Sequence, residues 1–246
     1  DMGTAKVSQE ELNKVSHHLI DIKDPNENYN VSEFVERCNT HITDIQKRGK
    51  TAIICGGTGF YIHSFLHNFT FIDESDDTKE IRQQLNARVK TEGLDILFNE
   101  LQQIDPELAR QLSPNDRKRI VRGLEVFQLT GQPATTFRKQ DDQPRDDVRL
   151  IGLTAEREII YNRIEKRVDI MIQNGLIEEV EYLVKKFGST CLAFNALGYK
   201  ETISYLNGIM DKETMITTIK IKTRQFAKRQ LTWFKRYQYA QWITIS

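Results

Sequence analysis

Apolar positions recur with two periods along the chain, and each change of period marks an element. His18-Leu19-Ile20-Asp21-Ile22 and Thr51-Ala52-Ile53-Ile54-Cys55 are short apolar runs, the first ended by Asp24-Pro25. Each predicts a strand, the second a buried one. Between them Phe34, Val35, Cys38, Ile42 and Ile45 recur at helical spacing, with Ser32 as the expected N-cap and Gly49 as the stop. A second helix is predicted from about Tyr61. Strand, helix, strand, helix in that order predicts a parallel sheet covered by helices.

From Asp73 the chain turns polar. Helices are predicted around 78–91 and 93–103, with turn and cap signals at Asp105-Pro106 and Ser113-Pro114-Asn115-Asp116. This stretch predicts a helical insertion rather than more sheet. Residues 138–147 predict an exposed loop, and Arg149-Leu150-Ile151-Gly152-Leu153 a strand returning to the sheet. Helices follow at about 156–173 and 176–187, split by Asn174-Gly175, and a long one at about 212–237. The expected organisation is an α/β core in two parts, 1–70 and 147–246, interrupted by a helical insertion at 71–146.

The composition fits a soluble globular protein, with 39% hydrophobic and 28% charged residues and no apolar run of membrane-spanning length. No secretory leader is expected. Cys38, Cys55 and Cys191 lie far apart and form no C-x-x-C pair, which points to a reducing, cytoplasmic setting. Net charge is zero, yet from Thr214 onward there is no Asp or Glu. That stretch carries Lys220, Lys222, Arg224, Lys228, Arg229, Lys235 and Arg236. Such a bias suits a polyanionic partner; it also suits a solvated helix face.

Four groups of residues carry candidate chemistry. Gly56-Gly57-Thr58-Gly59 joins the apolar run at 51–55 to the helix near Tyr61. A glycine turn feeding a helix N-terminus admits an anion close to the backbone, and it is also a common α/β connection. In the helix after Asp116, Ile120, Leu124 and Phe127 form one stripe, with Lys118, Arg119 and Arg122 on the opposite face. Three cations on one face can bind nucleic-acid phosphates or simply meet water. Arg167 falls on the stripe of Ile160, Ile164, Val168 and Met171, with Arg163 one turn earlier. A buried guanidinium there needs a carboxylate or a bound phosphate. In the last helix Ile219, Phe226 and Trp233 define the expected buried face. His63 and His67, four residues apart on a helix, have no third ligand nearby and do not point to a metal site.

Seven segments in order then resemble one family. They are DMGTAK (1–6), HHLIDIKDPNENYNVSEF (17–34), GGTGFY (56–61), PNDRKRIVRGLEV (114–126), RIEKRVDIM (163–171), ALGYKE (196–201) and RQFAKRQLTWFKR (224–236). Together they resemble the bacterial tRNA dimethylallyltransferases, also called tRNA isopentenyltransferases. The resemblance implies a P-loop-kinase-like core that binds nucleotide, ATP included, with an insertion that grips tRNA. It implies transfer of a dimethylallyl group from its diphosphate to N6 of the adenine just 3′ of the anticodon, with Mg²⁺ assisting the departing diphosphate. It also implies roles residue by residue. Thr58 matches a tRNA-contacting, catalytic threonine, flanked by Gly56 and Gly57 at the diphosphate. Arg82 matches a tRNA-contacting arginine. Lys118, Arg119, Ile120, Val121 and Arg122 match a tRNA-binding stretch, as do Asn195, Ala196, Leu197, Gly198, Tyr199 and Lys200. Arg167 matches a catalytic arginine of the diphosphate site. The expected partners are the tRNA anticodon stem-loop and dimethylallyl diphosphate, with no membrane and a monomeric state.

One departure stands out. The family's G-x-T-x-x-G-K-[ST] loop and its base-bearing D-S-x-Q segment are expected upstream of DMGTAK, and Asp1 does not replace that base. The expectation is that the intact protein is an enzyme, while this chain alone lacks the diphosphate cradle. The alternatives are a P-loop nucleotide kinase, an adenylate prenyltransferase, or a non-catalytic RNA-binding fragment.

Overall fold

The computed structural model describes residues 2–4, 6–69, 71, 75–138 and 144–246. Helices α1 (Gln9–Lys14), α2 (Val31–Lys47) and α3 (Gly59–Leu66) come first. They are followed by α4 (Asp76–Thr91), α5 (Leu94–Ile104), α6 (Pro106–Gln111), α7 (Arg117–Thr130) and α8 (Ala134–Arg138). Strand β1 (Ile151–Thr154) then leads into α9 (Arg157–Gln173), α10 (Leu176–Phe187), a 3₁₀ turn (Leu192–Asn195), α11 (Tyr199–Leu206) and α12 (Lys212–Phe234), and β2 (Gln241–Thr244) closes the order. The chain divides into two compact units, Asp1–Ile62 with Arg149–Ser246, and His63–Val148. The divisions at 62/63 and 148/149 compare with 70/71 and 146/147 read from the sequence.

The first unit is built around Val168, Leu176, Val180, Phe194, Tyr199, Met215 and Ile219. Its α10 begins at Gly175 and stops at Gly188, with φ of 98° and 80° that suit glycine at each end. Two carboxylates, half-buried Glu179 and buried Glu201, tie the packing together. Glu179 accepts hydrogen bonds from the Tyr199 hydroxyl at 2.8 Å and the Met2 amide at 2.9 Å. Glu201 accepts from the Gly198 amide at 2.8 Å and from Lys222 at 2.7 Å. β1 pairs with β2 in parallel, Ile151 opposite Gln241 and Thr154 opposite Thr244.

Several expectations are corrected here. Neither 18–22 nor 51–55 is a strand. Leu19 and Asp21 adopt positive φ of 62° and 53°, which breaks an extended ladder. Ile53 is 85% exposed, so the apolar pattern of 51–55 meets no neighbouring strand among the described residues. Strand β2 was not read from the sequence, where the last helix closed the pattern. The cap of α2 is Asn30, whose side chain accepts from the Glu33 amide at 3.0 Å, and not Ser32.

The second unit is helical, as expected of the insertion. Leu85, Leu97, Leu101, Leu108, Ile120 and Leu124 form its core, each no more than 1% exposed. Asp116 caps α7 by accepting from the Arg119 amide, and Gly131 ends it in the left-handed region. Buried Asp105 caps α6 and also accepts from the Thr135 amide and hydroxyl at 2.9 Å each, so its charge is fully hydrogen-bonded. Of the loop expected at 138–147, residues 139–143 lie outside the described residues. Arg145 donates its amide to Leu66 at 2.8 Å and pairs with Asp147.

Candidate functional site

In the first unit, one face of α9 opens onto a cleft of about 710 Å³ lined by Lys6, Asp21, Arg163, Lys166, Arg167 and Asn174, among others. Arg167 is exposed, a correction to its expected burial. The apolar stripe of α9 is centred on Val168, which is 2% exposed. One residue of helix turns about 100°, which carries Arg167 to the flank of that stripe. No carboxylate pairs with Arg167 or Lys166 among the described residues. Lys6, a cleft cation that sequence reasoning did not single out, pairs with Asp21. The spacing of Arg163, Lys166 and Arg167, three and four residues apart, was the available signal for a cationic face.

The glycine turn lies in the same unit. Gly56 faces open space, so its backbone can be approached. Gly57 and Gly59 are required for another reason. A Cβ on Gly57 would come within 1.9 Å of Gln230 Nε2, and one on Gly59 within 2.3 Å of Trp233 Cδ1. These two glycines let α12 pack onto the turn. Thr58 is exposed, and its carbonyl accepts from the Tyr61 and Ile62 amides at 3.0 and 3.2 Å, opening α3. Tyr61 in turn packs on Phe34 of α2, ring centroids 4.9 Å apart.

The segment at 195–200 divides by exposure. Asn195, Ala196 and Lys200 are exposed, Leu197 is half-buried, and Gly198 and Tyr199 are buried. Tyr199 is held by Glu179, and burial pushes its hydroxyl well above the usual tyrosine range, with the Glu179 hydrogen bond and charge adding to the shift. Tyr199 is thus packed into the core of this unit.

The basic C-terminal helix is partly neutralised from within. Lys220 pairs with Asp169, Lys222 with Glu201 and Arg224 with Glu165. The expected buried stripe of α12 holds at Ile219, 2% exposed, and fails at Phe226, 42% exposed. Arg229 lies over the Phe226 ring and Arg236 over Trp233, 5.8 and 3.8 Å from the centroids.

In the second unit, α4 and α7 present a cationic surface. Lys118 and Arg119 are exposed, whereas Ile120 and Val121 are 0% and 5% exposed and belong to the core. Arg122 is not a free member of an outer face. It pairs with Glu125, which also receives Arg82 from α4 at 2.7 Å. Arg82 lines a shallow cleft of about 490 Å³ with Lys79, Gln83, Asn86 and Lys90. Those four residues and Glu125 were not singled out from the sequence, although positions 79, 82, 83, 86 and 90 share one face of α4.

Magnesium is usually held through one or two carboxylates and substrate phosphates. Among the described residues no group of three His, Cys, Asp or Glu side chains could hold a metal ion. Asp21, the one acidic residue lining the larger cleft among the described residues, pairs with Lys6. What the lining of this cleft offers a diphosphate is the cationic side chains of Arg163, Lys166 and Arg167. Among the described residues no helix is long and apolar enough to cross a membrane.

Comparison with known proteins converges on one family. The IPP transferase family matches residues 1–237. The chain is 42% identical over 253 residues to a tRNA dimethylallyltransferase of Caldanaerobacter subterraneus subsp. tengcongensis, covering 100% of this chain and 79% of that protein. It is 45% identical over 249 residues to the tRNA dimethylallyltransferase of Halothermothrix orenii, covering 100% and 76%. Among solved structures, a tRNA isopentenylpyrophosphate transferase of Staphylococcus epidermidis superposes with a TM-score of 0.67 at 38% identity, over 99% of this chain and 80% of that one. A eukaryotic dimethylallyltransferase acting on tRNA superposes with a TM-score of 0.82 at 25% identity, over 99% and 63%.

Proposed function

This chain belongs to the IPP transferase family, with its P-loop-kinase-like α/β fold and helical insertion, and from that we propose its reaction. It transfers a dimethylallyl group from dimethylallyl diphosphate to N6 of the adenine 3′-adjacent to the anticodon of tRNA. The allylic C–O bond breaks, diphosphate leaves with the electron pair, and N6 bonds to the allyl carbon as it loses a proton. The observation that carries the reading is the match to tRNA dimethylallyltransferases along the whole chain at 42% and 45% identity.

The two cationic surfaces support a division of labour. Arg167 lines the α9 cleft with Lys166 beside it and, among the described residues, no paired carboxylate, as a ligand for a diphosphate would. Positive charge aimed at a leaving group is worth most where charge grows in the transition state. Thr58 stands exposed at the start of α3, with Gly56 open behind it, where an anion or a base edge can approach. On the helical unit Lys118, Arg119, Arg82 and Arg122 reach solvent and would meet the tRNA backbone, and Asn195, Ala196 and Lys200 are exposed positions on the other unit. The target base must leave its stack to react, at a cost of a few kcal/mol that contacts to the neighbouring RNA would offset.

The test is a parallel assay of the intact protein with dimethylallyl diphosphate and two acceptors, unmodified tRNA and AMP. Transfer to tRNA alone supports the reading. Transfer to AMP, or phosphorylation of a nucleotide by ATP in its place, overturns it.

A further inference from the structure

We propose that Glu125 is a positioning residue for RNA recognition, holding Arg82 and Arg122 of two different helices as one two-pronged cationic grip. The inference rests on the RNA reading above. Glu125 lies in the middle of α7 with 0% of its surface exposed. Arg82 of α4 donates through Nε to Oε2 at 2.7 Å and through Nη2 to Oε1 at 3.1 Å. Arg122 donates through Nη1 to Oε1 as well. Both guanidinium side chains still reach water, at 39% and 40% exposure. A carboxylate in the seam between α4 and α7 therefore holds two cations by their inner edges.

Joining α4 to α7 does not by itself call for this arrangement. A buried ion pair is often no more stabilising than apolar side chains of the same volume. What the carboxylate adds is orientation. Two arginines on one glutamate have both guanidinium planes fixed by the same carboxylate. An arginine free in solution loses rotamer freedom when it grips a phosphate, and one already locked loses less. The seam continues in the same manner one turn on. The Asn86 amide donates to the Arg82 carbonyl at 2.8 Å, and its Oδ1 accepts from Arg117 of α7 at 2.6 Å. Lys79 and Lys90 flank Arg82 in the cleft along α4. A row of cations of which Arg82 and Arg122 are held suits successive phosphates of a nucleic-acid backbone, since planar guanidinium matches phosphate geometry.

The test is Glu125→Gln, which keeps the shape and removes the charge. If charge alone governed binding, the variant would bind every polyanion more tightly. Positioning instead requires tRNA affinity to fall about tenfold or more, while affinity for heparin stays level or rises. In turnover the KM for tRNA should rise with kcat at saturating tRNA little changed. A folded Gln variant that binds tRNA as well as wild type does overturns the inference. Should the Gln variant not fold, the double variant Arg82→Lys/Arg122→Lys decides, because it keeps both charges and loses the planar forks. A comparable loss of tRNA affinity supports the inference and unchanged affinity overturns it. A wild-type protein that fails to bind tRNA strikes down the RNA reading and this inference with it. A wild type that binds, beside variants that bind equally, strikes down this inference alone.

Discussion

Gln230 of the last helix donates a 3.0 Å hydrogen bond from Nε2 to the carbonyl of Gly57, so the glycine turn is fastened to α12 by its own backbone. A Cβ at position 57 would occupy the place of that amide. The same helix sets Trp233 against Gly59 one turn further on. The two glycines are thus packing residues, and Gly56, with open space around it, is the glycine a ligand can reach.

Gly59→Ala should destabilise the protein more than Gly57→Ala. At position 57 the obstacle is the mobile end of a glutamine, and the loss is one hydrogen bond, about 0.5–1.5 kcal/mol. At position 59 the obstacle is an indole ring, and overpacking costs about 1–3 kcal/mol. Gln230→Ala should relieve much of the Gly57→Ala cost. Urea unfolding of the single and double variants measures both the order and the coupling; equal losses at the two glycines would contradict the packing account.

Arg167→Ala should lower kcat/KM for dimethylallyl diphosphate by about 2–4 kcal/mol of transition-state stabilisation, on the scale of removing one electrostatic donor. Because Arg167 is exposed and has no paired carboxylate among the described residues, its melting temperature should stay near that of wild type. Unchanged kcat/KM with a lowered melting temperature would instead make it a structural residue.

Lys118 and Arg119 should separate from Arg122. Replacing Lys118 and Arg119 with Ala should weaken tRNA binding and reduce its log–log salt slope by about 0.7–0.9 per lost phosphate contact, with little change in melting temperature. Arg122→Ala should also cost stability, about 1–3 kcal/mol, because it takes a hydrogen bond from the buried Glu125 carboxylate. Salt titrations of tRNA affinity, run beside thermal melts of each variant, check this. Equal melting temperatures for all three would contradict the role of Glu125.

Burial raises the Glu201 carboxyl, but the Lys222 ammonium and the Gly198 amide outweigh it and hold the group below the usual carboxylate range. A folded-state pKa below the unfolded one contributes stability above the unfolded value and loses it as pH falls through the folded one. Thermal melts should therefore show wild type losing stability below about pH 4.3, the ordinary glutamate value, and Glu201→Gln losing less over the same range. Parallel curves for the two proteins would remove Glu201 from the acid sensitivity.

Much of the helical pattern was legible because its signals are local. The helix predicted at 176–187 is α10 to the residue, set by Gly175 and Gly188 and by an apolar stripe that reaches Leu176 and Val180. The strands were not legible in the same way, since a strand exists only through its partner. Residues 51–55 carry the pattern of a strand without a ladder, and Gln241–Thr244 form one by pairing with Ile151–Thr154 from 90 positions away in register. The site was legible as charge and not as geometry. Arg167 was placed on the right helix but inside the stripe it flanks, because a helical period locates a face only to within about one residue. Glu125 was missed because a glutamate beside basic residues reads as solvent-facing, and its second partner, Arg82, lies 43 residues away in the chain.

The most direct measurement is mass spectrometry of nucleosides from an unmodified tRNA incubated with the intact protein and isotope-labelled dimethylallyl diphosphate. The account predicts one labelled dimethylallyl group per modified tRNA, on N6 of the adenine 3′ of the anticodon, with an equal amount of diphosphate released. Label at another position, on a free nucleotide, or on no acceptor across many isoacceptors would contradict it.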